Sequence, residues 1–451
     1  MIFMNGKKLF GTDGIRGKAN QYPMTPELAL KLGKSMAKHF GNGTSPKIVI
    51  GKDTRLSGYM LETALTSGLV SMGATVFLVG PMPTPAIAKL TVSLAADAGI
   101  VLSASHNPAE DNGIKLFDSE GYKLSDDAEH KIEDIVLSDS EIKNKSVVIG
   151  KAFRINDADG RYIEFVKSTA KNISLNGLKI VLDCANGAAY SVAPKIFSEL
   201  GAEVITIFDK PDGNNINAGC GALYPEKISL TVKENNADVG IALDGDADRA
   251  IICNEKGEVV PGDAIIALAA IELKKRKKLS KNTAVITVMS NLGLHKFLKK
   301  NKVNVVSVDV GDRYVIDSMR KNNYNFGGEQ SGHLIFGDYT TTGDGIISAL
   351  QLLRLMKDTG KKLSELVKPF DFFPQILLNV KVKEKKPLVE LKELTKLISK
   401  YEKELGERGR ILVRYSGTEN VCRVMVECEN KSETKKIANA LANNIKGEIG
   451  V

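Results

Sequence analysis

The sequence predicts an α/β fold: three similar α/β domains with mixed, mostly parallel sheets, followed by a smaller C-terminal α+β domain. Three stretches, which begin at Lys47, Leu178 and Asn282, repeat the order strand, loop, helix, strand. Their strands are nearly continuous β-branched runs, a pattern typical of buried parallel strands. Residues beyond 370 instead combine alternating strands with amphipathic helices, which indicates a separate small domain.

The composition indicates a globular protein of several domains. At 451 residues the chain is too long for one hydrophobic core, and its 43% hydrophobic and 26% charged residues are typical of soluble proteins. No apolar run reaches the roughly 18 residues of a membrane span, so we expect no membrane partner. The first residues, MIFMNGKKLFGTDGIRG, contain no sustained apolar stretch, so we expect no secretory signal. The five cysteines lack the spacing of a metal site, which favours a reduced, cytoplasmic protein.

The charge balance suits an anionic partner without naming one. The formal net charge is +8, and the densest basic run, KKRKK at 274–278, follows an apolar helical pattern. That position favours a solvated helix end over a binding patch. The chain has no tryptophan and no further basic stripe, so we expect no nucleic-acid partner.

A polar loop follows the next apolar run after each of the three repeats. These loops are SASHNP at 103–108, DGDADR at 244–249 and GEQSGH at 328–333. Because ligands in open α/β sheets bind outside the carboxyl ends of strands, three such loops predict a shared site. Each loop alone is compatible with an ordinary polar turn.

The first two loops suggest a nucleophile and a metal. SASHNP offers the hydroxyls of Ser103 and Ser105, and spacing does not choose between them. DGDADR places Asp244, Asp246 and Asp248 at alternate positions, where three carboxylates can converge on Mg²⁺ or Ca²⁺. Arg249 adds a phosphate-binding guanidinium beside them.

The remaining loops suggest sugar and phosphate recognition. GEQSGH supplies directional hydrogen bonds for sugar hydroxyls or an amine, whereas its histidine is as well explained by a structural role as by acid–base chemistry. RYSGTEN at 414–420 reads equally as a plain hairpin turn or as an anion nest that, with Arg423, clamps a phosphate. Near the N-terminus, glycines flank Arg16 and Arg55, as close approach to a phosphate requires.

Together these loops predict phosphoryl transfer. A hydroxyl nucleophile, a divalent cation and several arginines supply the positioning and charge neutralisation on which that reaction depends. The sequence contains no GxxxxGK[ST] loop, so ATP is not the expected donor. The phosphoryl group is therefore expected to be stored on the serine itself.

With SASHNP, DGDADR, GEQSGH and RYSGTE in this order, the chain resembles the α-D-phosphohexomutase family along its whole length. FGTDGIRG at 10–17 and DYTTTGDGIISALQ at 338–351 are most similar to the bacterial members that interconvert glucosamine 6-phosphate and glucosamine 1-phosphate, toward UDP-N-acetylglucosamine and peptidoglycan. The resemblance implies a homodimer and four domains around a central cleft. We expect their boundaries at 1–152, 153–256, 257–370 and 371–451.

The resemblance also implies a role for each motif. Ser105 is the expected phosphoserine, with Arg16 supporting it, and a sugar 1,6-bisphosphate is the expected intermediate and activator. Lys115 and His333 are the acid–base candidates. Mg²⁺ is expected on Asp244, Asp246, Asp248 and the Ser105 phosphate, the sugar hydroxyls on Glu329 and Ser331, and the second phosphate on Arg414, Ser416, Gly417, Thr418 and Arg423. Asn420 replaces the family's usual proline without removing a ligand.

Three alternatives stand beside this prediction. The nearest is the same machinery acting on glucose or mannose phosphates. A metal phosphatase would share the aspartates, but a donor serine and a distal phosphate clamp suit retention of the phosphate better. A non-catalytic sugar-phosphate module would be expected to lack the nucleophile or a metal carboxylate, and both are present here.

Overall fold

The computed structural model describes residues 9–41, 44–138, 142, 148–171, 173–416 and 420–451. The chain divides into two compact units. The larger comprises Val303–Lys368 and the described residues up to Val288; the smaller contains Met289–Lys302 and Pro369–Val451. Among the described helices, none is long and apolar enough to cross a membrane.

The first sheet has six strands in the order β1-β5-β4-β2-β3-β6. β2, β3, β4 and β6 run parallel, while β5 pairs antiparallel with both β1 and β4. The strands are β1 Ile15–Lys18, β2 Lys47–Lys52, β3 Thr75–Pro81, β4 Ala98–Leu102, β5 Asp111–Asp118 and β6 Lys151–Arg154; the helices are α1 Pro26–Gly41, α2 Leu56–Ser71, α3 Thr84–Ser93 and α4 Asp126–Leu137.

The second sheet has five strands in the order β11-β10-β9-β7-β8. β7 runs parallel to β8 and β9, and the other pairings are antiparallel. The strands are β7 Lys179–Asp183, β8 Glu203–Ile207, β9 Val239–Leu243, β10 Ala250–Asn254 and β11 Val259–Val260; the helices are α5 Ala158–Ser168, α6 Val192–Glu199 and α7 Pro225–Glu234.

The third sheet has four strands in the order β13-β12-β14-β15. β12 runs parallel to β13 and β14, and β14 pairs antiparallel with β15. The strands are β12 Thr283–Thr287, β13 Asn304–Val308, β14 Phe326–Gly328 and β15 Leu334–Phe336; the helices of this region are α8 Gly262–Lys275, α9 Leu292–Lys300, α10 Asp312–Asn322, α11 Gly345–Thr359 and α12 Leu363–Val367. α8 ends inside the basic run, as predicted for a helix end.

One arrangement recurs in the three sheets and positions the predicted loops. In each, a strand parallel to the first strand of the repeat turns back as an antiparallel hairpin: β4 into β5, β9 into β10, and β14 into β15. β4 and β9 are buried along their whole length, which explains their uninterrupted apolar sequence. The three motifs form the hairpin loops.

The C-terminal part of the smaller unit is an antiparallel sheet packed on two helices. Its strand order is β16-β18-β17, with β16 Gln375–Lys381, β17 Gly409–Tyr415, β18 Val421–Cys428, α13 Lys392–Leu405 and α14 Lys431–Ile449. Alternate residues of β18, among them Val424 and Val426, bury their side chains with those of α14. Together with the three mixed sheets, this confirms the predicted fold class.

Candidate active site

The loops after β4 and β9 meet at Ser105. Its Oγ donates a hydrogen bond of 2.7 Å to Oδ2 of Asp244, and the residue is almost fully buried. The hydroxyl of Ser103 instead accepts the N–H of Ser105 at 2.9 Å. The two serines therefore differ in environment: Ser103 supports the turn, and Ser105 faces the carboxylates.

Asp244, Asp246 and Asp248 form an acidic triad that can hold a metal ion. Their ligand oxygens lie within 4.8 Å of one another, and all three residues are buried. Oδ1 of Asp246 and Oδ1 of Asp248 are buried and accept no hydrogen bond from the described residues. Buried, closely spaced carboxylate oxygens are the donor set that Mg²⁺ prefers, so the residues fit such an ion.

The electrostatics of the triad also favour a cation. Burial and the neighbouring carboxylates of Asp248 and Asp246 raise the pKa of Asp244 well above its ordinary value. Burial acts in the same direction on Asp248, but His333 and Lys115 outweigh it and lower the pKa of Asp248. Carboxylates so close together repel one another when ionised, and a divalent cation relieves that repulsion.

Lys115, on β5, extends its amino group into the triad. Its Nζ lies 2.9 Å from Oδ2 of Asp246 and 3.2 Å from Oδ2 of Asp13. Burial would lower the pKa of Lys115, but the carboxylates around it raise that pKa above its ordinary value. Arg16, on β1, forms an ion pair with Asp13 and lies 3.4 Å from the carbonyl oxygen of Ala104. Both predicted cations thus lie beside the Ser105 loop.

His333, at the start of β15, lies between two carboxylates. Its Nδ1 is 3.5 Å from Oδ1 of Asp248, and its Nε2 is 3.6 Å from Oδ2 of Asp312. Nε2 accepts the backbone N–H of Gly343 at 3.2 Å, which places the proton of the neutral ring on Nδ1. Burial alone would lower the pKa of His333, but Asp248 and Asp312 raise it.

The loop after β14 brings its side chains to the same region. Oε1 of Glu329 accepts the N–H of Gly311 at 3.1 Å, and Arg249 interacts electrostatically with Glu329. The N–H of Arg249 donates to Oδ1 of Asp244 at 3.2 Å. Oγ of Ser331 is buried and has no hydrogen-bond partner among the described residues. These groups present polar atoms beside the triad.

The predicted phosphate clamp lies in the C-terminal sheet. Arg414 and Arg423 are directly opposite one another on β17 and β18. Ser416 follows β17, and its carbonyl oxygen accepts a hydrogen bond of 2.7 Å from Lys385. Gly417 and Thr418, also predicted for this loop, lie outside the described residues.

The interpretation of Arg55 as a phosphate ligand is wrong. Its side chain is completely buried and forms an ion pair with Asp53. Its Nη2 donates to the carbonyl oxygens of Ser105 and Asn107. Asp53, two residues before it, neutralises this arginine inside the protein.

Three charged residues of the site were not predicted. Asp13 lies within the glycine loop FGTDGIRG at 10–17, where the sequence indicated a functional role for Arg16 only. Nζ of Lys123 is 2.5 Å from Oδ1 of Asp13 and 2.6 Å from Oδ2 of Asp312. Neither Lys123 nor Asp312 belongs to a recognisable motif, so no local pattern signals the contact between them.

Family models match the chain in four successive segments. They describe domains I, II, III and the C-terminal domain of phosphoglucomutase/phosphomannomutase, over residues 7–143, 160–257, 261–372 and 377–444. The chain belongs to the phosphoglucomutase/phosphomannomutase family. The predicted resemblance to phosphohexomutases, which are isomerases, is therefore confirmed.

Relatives within the family match the chain over nearly its full length. The phosphoglucosamine mutase of Geobacter sp. (strain M21) is 54% identical over 98% of this chain and 99% of its own. That of Myxococcus xanthus is 56% identical over 97% of both chains. These sequence identities are well above the level at which two proteins share only their fold.

Solved structures show the same phosphoglucomutase/phosphomannomutase fold at lower identity. A family protein from Burkholderia thailandensis superposes with a TM-score of 0.82 at 23% identity, covering 98% of this chain and 99% of its own. The Aspergillus fumigatus N-acetylphosphoglucosamine mutase, solved in complex with GlcNAc-6P and magnesium, has a TM-score of 0.70 at 18% identity, covering 98% and 96%.

Proposed function

We propose that this member of the family is a phosphoglucosamine mutase, which interconverts glucosamine 6-phosphate and glucosamine 1-phosphate. The observation that carries the proposal is the 2.7 Å hydrogen bond from Ser105 to Asp244, within an acidic triad that can hold a metal. The choice of sugar rests on the full-length relatives, which carry that name at 52–56% identity.

Phosphorylated Ser105 is the proposed donor. A sugar hydroxyl attacks its phosphorus, the bond from phosphorus to Oγ breaks, and Oγ takes up a proton as the sugar hydroxyl loses one. The product is a sugar 1,6-bisphosphate, which reorients and returns its other phosphoryl group to Oγ. Mg²⁺ on Asp244, Asp246 and Asp248 would neutralise negative charge on the phosphoryl group.

The chain's own residues supply the other roles. Lys115 and Arg16 lie beside the Ser105 loop, where positive charge stabilises the transferred group. Lys115 and His333 are the proposed proton carriers, since both are buried against carboxylates that hold their protons. Glu329, Ser331 and Arg249 are proposed to bind the sugar and its nearer phosphate.

The phosphate that does not react needs a second binding site, because chemistry alternates between the two ends of one sugar. Arg414 and Arg423 are proposed to form it with Ser416, Gly417 and Thr418. The register of β17 and β18, which pairs Arg414 with Arg423, supports this role, since arginine guanidinium groups bind phosphate through strong charge-assisted hydrogen bonds.

Several other parts of the proposal come from the sequence. We propose domain boundaries at 1–152, 153–256, 257–370 and 371–451, a central cleft, a homodimer and a cytoplasmic location. A phosphosugar is the proposed partner, with neither nucleic acid nor membrane involved.

A coupled assay with glucosamine, glucose and mannose phosphates tests this function. We expect formation of the isomeric monophosphate, dependent on Mg²⁺, with the highest kcat/KM for the amino sugar. A preference for glucose or mannose phosphate would keep the mechanism and replace the substrate. Release of inorganic phosphate would indicate a phosphatase, and absence of turnover with a sugar 1,6-bisphosphate present would indicate a binding module.

A further inference from the structure

The backbone around Ser105 is held in an unfavourable conformation. Ser105 has a φ of 53°, in the left-handed region that residues with a side chain seldom adopt. The hydroxyl of Ser103 and the carboxylate of Asp244 fix the N–H and the Oγ of this residue. Neither contact fixes its carbonyl group, so the peptide that follows Ser105 needs another restraint.

Two donors provide that restraint. Nδ2 of Asn217 lies 2.9 Å from the carbonyl oxygen of Ser105 and 2.9 Å from that of Asn107. Nη2 of Arg55 lies 3.3 Å from the first oxygen and 2.5 Å from the second. Both carbonyl groups of the turn therefore meet the same amide and the same guanidinium, an arrangement we call the carbonyl clamp.

The two clamp residues are themselves immobilised. Asp53 forms an ion pair with the Arg55 guanidinium and accepts its backbone N–H at 3.0 Å. The N–H of Asn217 donates to the carbonyl oxygen of Ala185 at 2.9 Å. A Cβ on Gly245 would lie 2.5 Å from the Ser105 carbonyl oxygen and 2.8 Å from Nδ2 of Asn217, so the lack of a side chain at Gly245 lets its backbone pack closely against the clamp.

The clamp joins elements that are distant in sequence. Ser105 and Arg55 belong to the first α/β region, whereas Asn217 lies between β8 and α7 in the second, which also carries the metal loop. Thr84 makes a parallel connection: its Oγ1 donates to Oδ2 of Asp246 at 2.6 Å, and its N–H donates to the carbonyl oxygen of Asp246. These contacts tie the first α/β region, which carries the Ser105 loop, to the second, which carries the metal loop.

We propose that Asn217, together with Arg55, is a positioning residue that directs Oγ of Ser105 toward the acidic triad. This inference rests on the proposed function, in which Ser105 carries the phosphoryl group. Neither residue touches the reacting atoms; both act through the carbonyl groups of the turn. Losing the clamp frees the peptide between Ser105 and His106 to rotate, which moves Oγ away from the line of phosphoryl transfer.

Asn217→Gly tests the role of the amide without straining the backbone. Asn217 has a φ of 59°, a conformation that glycine adopts freely. Asn186→Gly is the matched control, since Asn186 is equally buried and has a φ of 47°. Its side chain hydrogen-bonds to the backbone of Lys210 and Asn215. Asn217→Asp keeps the shape of the side chain and removes the donor.

We expect Asn217→Gly and Asn217→Asp to lower kcat at least about tenfold while KM for the sugar phosphate stays within about twofold. Asn186→Gly is expected to keep kcat within about twofold of the wild type. Its change in Tm should be similar to that of Asn217→Gly. The ³¹P resonance of phospho-Ser105 should shift in the Asn217 variants only, because a peptide rotation changes the environment of the phosphate.

The proposal is overturned if kcat of Asn217→Gly matches that of Asn186→Gly, or if the ³¹P resonance does not respond. Ser105→Ala, assayed in parallel, separates this failure from failure of the proposed function. If Ser105→Ala is as active as the wild type, the phosphoserine mechanism itself is wrong. If Ser105→Ala is inactive and Asn217→Gly behaves like its control, only the clamp is wrong.

Discussion

Ser105 and Asp244 come from two different sheets and meet through a hydrogen bond of 2.7 Å between Oγ and Oδ2. The contact joins the Ser105 hydroxyl of the SASHNP loop to the first carboxylate of the acidic triad. The hydrogen bond thereby places Oγ of Ser105, the proposed nucleophile, beside the carboxylates that are proposed to bind the metal.

Asp246→Asn should abolish most of the activity and leave the fold intact. Oδ2 of Asp246 accepts hydrogen bonds from Thr84 and Lys115, and its buried Oδ1 accepts none from the described residues. Removing one negative charge weakens metal binding, so we expect kcat to fall at least about 100-fold. Steady-state kinetics over a range of Mg²⁺ concentrations, with Tm measured in parallel, provides the check.

Asp238→Asn is the control for that variant, because the Asp238 carboxylate accepts the N–H of Lys179 away from the triad. It should keep wild-type kinetics. Wild-type activity of Asp246→Asn at ordinary Mg²⁺ concentrations would remove that aspartate from the metal site.

Arg423→Ala should weaken substrate binding more than it affects stability. Arg423 lies opposite Arg414, and a charge-assisted hydrogen bond to phosphate contributes about 1.5–3 kcal/mol. We therefore expect KM for either sugar monophosphate to rise about ten- to 100-fold. Tm is measured in parallel, so that a loss of stability is distinguished from a loss of phosphate binding. Unchanged KM would exclude this pair of arginines from phosphate binding.

Arg408→Ala serves as the comparison for Arg423→Ala. Arg408 is half exposed and lies 3.5 Å from Glu433, a surface ion pair of small energetic value. Its removal should leave both KM and kcat unaltered. If KM rises for Arg408→Ala as well, the effect of Arg423→Ala reflects the loss of positive charge from the C-terminal domain and not the loss of a phosphate contact.

Gly343→Ala should disturb His333 directly. A Cβ at position 343 would lie 2.4 Å from Cε1 and Nε2 of the His333 ring, closer than any real contact. The ring must move, and its hydrogen bond from the Gly343 N–H is lost. We expect kcat to fall at least about tenfold. Gly160→Ala, where a Cβ meets nothing within 4 Å, should keep full activity; equal kinetics for both variants would show that His333 is not required in its present position.

Asp344→Asn should alter how stability depends on pH. Asp344 caps α11 and accepts the Tyr162 hydroxyl at 2.8 Å. Burial raises the pKa of Asp344 to about 6. Since the folded pKa exceeds the unfolded one, the group's stabilising contribution is complete below pH 4 and is lost as the pH rises through about 6.

Asparagine retains the cap and does not titrate, so the variant should gain stability relative to the wild type as pH rises. The gain between pH 4 and pH 7 is expected to reach at most about 3 kcal/mol. Thermal unfolding of both proteins across this range measures it. A Tm difference that stays constant with pH would show that Asp344 titrates normally.

Much of the fold was predictable because the strands are buried and parallel. Such strands are recognisable as continuous apolar runs, and their carboxyl ends necessarily share one edge of the sheet. The alternation of these runs with amphipathic helices therefore located the loops of Ser105, Asp244 and Glu329. The choice between Ser103 and Ser105 depended on hydrogen-bond directions, which spacing does not encode.

The charge network could not be read from the sequence. Lys123 contacts both Asp13 and Asp312, the latter 189 positions away, and neither Lys123 nor Asp312 belongs to a motif. For Arg55 the sequence pattern was misleading. The glycines on either side predict an arginine that is free to bind phosphate, but the Arg55 side chain is buried and Asp53 neutralises its charge. In both cases tertiary packing determines whether a charge faces a ligand or another residue.

The mass of the intact protein tests the central claim most directly. Incubation with a sugar 1,6-bisphosphate should add about 80 Da, the mass of one phosphoryl group, to the wild type and nothing to Ser105→Ala. Adding stoichiometric glucosamine 6-phosphate to the phosphorylated enzyme should then remove that mass and produce the 1,6-bisphosphate. A fully active wild type that never carries the added mass, or Ser105→Ala that does, would contradict the account.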